Sequence, residues 1–83
     1  MMPGTLYVVA TPIGNLGDLS PRAREVLSSV ALVAGETQEA TLRLLSAAGI
    51  RGPRFVLYQE RNREQSARRL LEALQEGESV ALV

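Results

Sequence analysis

Four short apolar, β-rich runs (residues 5–10, 31–34, 55–58 and 80–83) alternate with three helix-length amphipathic segments, and this alternation leaves few folds open. Runs of four to six residues suit strands and are too short for packed helices. The segments between them place apolar side chains three and four residues apart, which gives one apolar helix face each. The resulting order, β-α-β-α-β-α-β with short connections, predicts an α/β fold: a parallel sheet with helices on its faces.

The local signals support each element. Residues 5–10 read as a strand buried on both faces. Residues 11–19 hold Pro12, Gly14, Asn15, Gly17 and Asp18, a dense set of turn formers. Ser20 and Pro21 mark a helix start, with Ser as N-cap and Pro at the first helical position. Ala23, Val26, Leu27 and Val30 then form its apolar face. The second helix spans residues 39–48, with Ala40, Thr41, Leu44, Leu45 and Ala48 inward, and Gly49 is its left-handed stop. Asn62 is the expected cap of a third helix over residues 64–76, with Ala67, Leu70, Leu71 and Leu74 inward and Gly77 at its end. A buried strand at residues 80–83 with nothing after it suggests part of a longer chain.

The 83 residues include no Cys and no His. Disulfides, Cys nucleophiles, His bases and His/Cys metal sites are therefore excluded within the chain. All nine basic residues are Arg, so there is no P-loop lysine and no Schiff base. Nine acidic residues balance them, leaving no global attraction to nucleic acid. Arg61, Arg63, Arg68 and Arg69 are expected on a solvated face with Glu64, Glu72 and Glu76 as partners. No run is long enough to cross a bilayer, and the N-terminus carries no basic leader. A cytoplasmic location follows by default.

Ligands of parallel α/β sheets bind beyond the carboxyl ends of the strands, so residues 11–19 are the first place to look for a site. A dinucleotide fingerprint needs Gly-x-Gly-x-x-Gly tight between strand and helix. Gly14 and Gly17 supply a single Gly-x-x-Gly, and ten residues, 11–20, separate the strand from Pro21. The helix N-terminus is thus not presented closely to a pyrophosphate. The acidic residues of a phospho-receiver are also missing, since Ala10-Thr11 and Tyr58-Gln59 stand at those strand ends. What remains is a loop of small residues that lets a ligand approach the main chain.

The contiguous stretch from Leu6 to Ala23, LYVVATPIGNLGDLSPRA, closely resembles the opening of the tetrapyrrole methylase superfamily, in its branch that methylates small-subunit ribosomal RNA. The likeness continues through residues 30–36, Thr41, residues 43–46, Gly49-Ile50, Tyr58, Glu60, Asn62 and residues 77–83. The resemblance implies a two-domain α/β methyltransferase, of which residues 1–83 would be most of the N-terminal domain, inactive by itself. It implies S-adenosyl-L-methionine as cofactor, no metal, and a homodimer acting on the ribose 2′-hydroxyl of a cytidine in the small ribosomal subunit. Carried over by position, Thr11, Pro12, Ile13 and Gly14 would line the methyl-donor cleft. Asn15, Glu36 and Asn62 would face the substrate. With no His or Lys available, Glu36 is the one candidate base in the chain, the alternative being a group beyond Val83.

Two places depart from the family pattern. Thr37, Gln38 and Glu39 stand where Asp-Thr-Arg is usual, and Gln59 and Arg61 stand where His flanks the Glu60 position. Both lie at strand ends, on the expected acceptor side. They point to an altered acceptor site in a divergent relative and keep other readings open: methylation of a tetrapyrrole or a protein, or a non-catalytic ligand-binding domain.

Overall fold

The computed structural model describes residues 2–10 and 19–83. Their elements run β1 (Leu6–Val8), α1 (Pro21–Ser29), β2 (Leu32–Gly35), α2 (Gln38–Ala47), β3 (Arg54–Leu57), a 3-10 turn (Glu60–Asn62), α3 (Arg63–Gln75) and β4 (Val80–Leu82). The strands form one sheet in the order β1-β4-β2-β3. Every pairing is parallel, with Leu6 and Leu32 both opposite Val80, and Leu32 opposite Arg54. The expected α/β architecture is therefore present, with boundaries within a residue or two of those read from sequence.

Alternate strand residues point to opposite faces, and each face has its own core. Val33 and Ala81 meet Val26 and Leu27 of α1 and Leu44 and Leu45 of α2, with Tyr7 and Val9 at the margin. Leu32, Ala34, Val56 and Val80 meet Leu70 and Ala73 of α3. Leu27, Val33 and Val80 are fully buried at 0% exposure, and burying a side chain of this kind contributes about 1.5–3 kcal/mol. Right-handed crossovers explain the division. The chain moves one way across the sheet from β1 to β2 to β3, then back from β3 to β4, so α3 lands on the other face.

Helix boundaries follow the local chemistry. Ser20 Oγ accepts the Ala23 N–H at 3.1 Å, with Pro21 beginning the helix. Thr37 Oγ1 accepts the Ala40 N–H at 3.3 Å and caps α2. Gly49 and Gly77 stop α2 and α3 with φ of 72° and 89°, a region that costs L-residues energy and glycine little. Ser20→Ala is expected to cost about 1 kcal/mol, read as a lower urea midpoint at unchanged slope.

Three packing expectations need correction. Strand β1 is at the sheet edge rather than buried on both faces: Leu6 is 48% and Val8 79% exposed. Both point to the α3 face, where α3 covers β4, β2 and β3 but not β1. In α3 the buried stripe is Ser66, Leu70 and Ala73, with Leu74 partly buried, whereas Ala67 is exposed and Leu71 is 55% exposed. The polar Ser66 is admitted because its hydroxyl donates to the Leu57 carbonyl at 2.7 Å, satisfying a group on an edge strand. In α2, Ala40 is exposed and the inner face starts at Thr41.

Candidate functional site

Because all four strands are parallel, their carboxyl ends share one edge of the sheet. Hydrogen bonds just past the strands keep the ends in register there. The Val9 N–H donates to the Leu82 carbonyl at 2.9 Å, Val83 N–H to Ala34 at 2.9 Å and Tyr58 N–H to Gly35 at 2.7 Å. Across this edge stand, in sheet order, Ala10, Val83, Glu36 and Gln59. The expected donor residues Thr11, Pro12, Ile13 and Gly14, together with Asn15, lie outside the described residues.

Glu36 is exposed at the end of β2. It is not the cap of α2, since Thr37 fills that role. Asn62 sits at the N-cap position of α3 but makes no side-chain capping bond to that helix. Its Oδ1 instead accepts the Gln59 backbone N–H at 2.7 Å. This corrects the expected cap role and ties the side-chain oxygen that would meet a substrate into the turn. Asn62 and Glu36 are brought to the same strand edge through Gln59, whose side-chain Nε2 donates to the Glu36 carbonyl at 2.7 Å.

The link from Gln59 to Glu36 is what sequence reasoning missed. Gln59 was visible only as a departure from a motif, because its partner lies 23 residues away. The gap between strand ends that Gln59 bridges has a topological origin. The crossover from β2 leaves toward the α1/α2 face and that from β3 toward the α3 face, so the connections diverge between two neighbouring strands. Such switch points are where open α/β sheets leave room for ligands. Tyr58 is partly buried against the α3 core.

The arginines of the third helix do not pair as anticipated. Ion pairs among the described residues are Arg22–Glu25, Arg43–Glu39 and Arg54–Glu78, all at the surface, where each contributes little. None joins Arg61, Arg63, Arg68 or Arg69 to Glu64, Glu72 or Glu76. A shallow hollow beside the site is lined by Arg61, Arg63 and Arg68 but also by Glu60 and Glu64, so its net charge is small. Among the described residues no helix is long and apolar enough to cross a membrane.

A parallel sheet whose second strand ends in an exposed carboxylate fits the family suggested by the opening motif. The family model for tetrapyrrole (corrin/porphyrin) methylases matches residues 5–83. The chain belongs to that family. It is 49% identical over 83 residues to the ribosomal RNA small subunit methyltransferase I of Pseudomonas aeruginosa, covering 100% of this chain and 29% of that protein. It is 48% identical over 81 residues to the protein of the same name from Xylella fastidiosa, covering 98% of this chain and 29% of the relative. The Escherichia coli O157:H7 protein is 49% identical over 80 residues, 96% of this chain and 28% of its own length. The chain thus spans less than a third of the length of these curated relatives.

Proposed function

We propose that the full-length protein is an S-adenosylmethionine-dependent methyltransferase that methylates a cytidine ribose 2′-hydroxyl in small-subunit ribosomal RNA. These 83 residues form most of its N-terminal domain. The observation that carries this reading is identity near one half, over essentially the whole chain, to relatives named as ribosomal RNA small subunit methyltransferases. The departures at Thr37–Glu39, Gln59 and Arg61 do not outweigh an identity of that extent. The protein works in the cytoplasm, where ribosomal subunits are assembled, and as a homodimer.

The strand edge fits a methyl donor lying against main chain. Ala10 is exposed with a minimal side chain at the end of β1, and Val83 beside it carries no charge. Thr11, Pro12, Ile13 and Gly14 would line the donor side, and Asn15 would stand nearer the acceptor. When bound, the donor supplies an electrophilic methyl group on a sulfonium that is already a good leaving group. The protein's contribution is then to orient the acceptor, exclude water and take up a proton. Glu36, exposed at the end of β2, would accept the 2′-hydroxyl proton.

The test combines calorimetry of the full-length protein with S-adenosylmethionine and methyl transfer to small ribosomal subunits that lack the modification. The expected result is saturable donor binding and incorporation of a methyl group at a cytidine 2′-hydroxyl. Donor binding without transfer would overturn the ribosomal substrate and retain the donor site. No donor binding would overturn both.

A further inference from the structure

We infer that Gln59 is a positioning residue for the acceptor side of the site: its side-chain amide clamps the β2–α2 turn and so fixes the direction in which Glu36 points. The inference rests on the reading of Glu36 given above.

Three bonds define the clamp. Gln59 Nε2 donates to the Glu36 carbonyl at 2.7 Å. The backbone N–H of Gln59 donates to Asn62 Oδ1 at 2.7 Å, which holds Gln59 against the 3-10 turn. Arg61 Nε donates to Gln59 Oε1 at 3.4 Å, a longer bond that orients the amide. An amide is suited to this place because it donates through nitrogen to a carbonyl while accepting through oxygen from a guanidinium. A carboxylate would meet the Glu36 carbonyl with no donor, and an alkyl chain would leave both partners without it.

The clamp matters because of where it sits. The connections after β2 and β3 depart to opposite faces, so no backbone bridges their ends beyond Tyr58 N–H to Gly35. The Glu36–Thr37 peptide is held on one side by Gln59 and on the other by Thr37, whose hydroxyl caps α2. With both sides of that peptide fixed, the Cα–Cβ direction of Glu36 is set although its carboxylate is exposed. Positioning of this kind affects reaction more than binding, since small displacements of a proton acceptor weaken transfer steeply.

The experiment uses the full-length protein with Gln59→Ala, Gln59→Glu and Gln59→His, and Glu36→Gln as reference. Donor affinity, KM for the ribosomal substrate and kcat are measured, with hydrogen exchange of residues 36–39 followed in parallel. Gln59→Ala and Gln59→Glu should lower kcat about 3- to 10-fold, the scale of one lost hydrogen bond, with donor affinity unchanged and exchange at residues 36–39 faster. Gln59→His, whose ring N–H can still donate to the carbonyl, should recover most of kcat. A purely structural role would move the thermal midpoint without this split and without rescue by His. Unchanged exchange at residues 36–39 in Gln59→Ala would overturn the clamp whatever the activity. Unchanged kcat in all three Gln59 variants, with Glu36→Gln impaired, would overturn the positioning role and leave the Glu36 reading standing. A fully active Glu36→Gln would show that the Glu36 reading itself had failed.

Discussion

Gly35→Ala is expected to destabilise the protein by about 1–3 kcal/mol, the scale of overpacking in a closed core. A Cβ on Gly35 would fall on the Thr41 hydroxyl oxygen, and it would also meet Val83 Cγ2 at 3.3 Å and Phe55 Cε1 at 3.6 Å. Thr41 is only 4% exposed, so it has little room to turn away. The cost is therefore steric and should be relieved by the partner. In a double-mutant cycle, Thr41→Ala should recover part of the loss of Gly35→Ala, giving a coupling on the order of 1 kcal/mol. Gly49→Ala provides the contrast. Nothing lies within 4 Å of its added Cβ, but its φ is +72°. Its cost, about 1–2 kcal/mol, should come from backbone conformation and show no coupling to Thr41. Urea denaturation of the three single variants and the two doubles with Thr41→Ala separates the two mechanisms. Additive Gly35→Ala and Thr41→Ala effects would contradict the contact.

Glu36→Gln in the full-length protein is expected to lower methyl transfer by about 10²- to 10⁴-fold, the usual scale for a proton-transfer group, with donor affinity preserved. The substitution keeps shape and removes proton-accepting capacity. At an exposed position it should change stability by no more than about 0.5 kcal/mol. Loss of rate without loss of stability or donor binding is thus the signature of a chemical role. Transfer within about threefold of wild type would assign the proton to solvent or to another group.

Much of the fold was legible because the informative interactions are local. Ser20 and Pro21 announce a helix whether or not the rest of the chain is present, since an N-cap bond reaches only three residues ahead. Gly49 and Gly77 announce two helix ends through backbone conformation alone. Where the burial expectations missed, the missing information was an address in the sheet. Residues 5–10 are as apolar as a central strand, but β4 inserts between β1 and β2 and leaves β1 with one neighbour among the described strands. Leu6 and Val8 are exposed because α3 does not reach them, which no property of those two residues encodes. Ser66 shows the converse: a polar residue is buried because an edge-strand carbonyl needs its hydroxyl. The site divides the same way. Glu36 was legible as an acid at a strand end. Gln59 was not legible as its partner, because their bond depends on β2 and β3 being adjacent.

The sequence by itself determined the alternation of strands and helices, the caps that bound them, and the family to which the opening motif belongs. Those properties rest on periodicity, short-range hydrogen bonds and a contiguous run of residues. Only the tertiary structure decided that β1 is an edge, that the arginines of α3 stand apart from its glutamates, and that Asn62 serves Gln59 rather than the helix it precedes. Each depends on which distant segments become neighbours, and that is settled by strand order and crossover handedness, which act across the whole sheet.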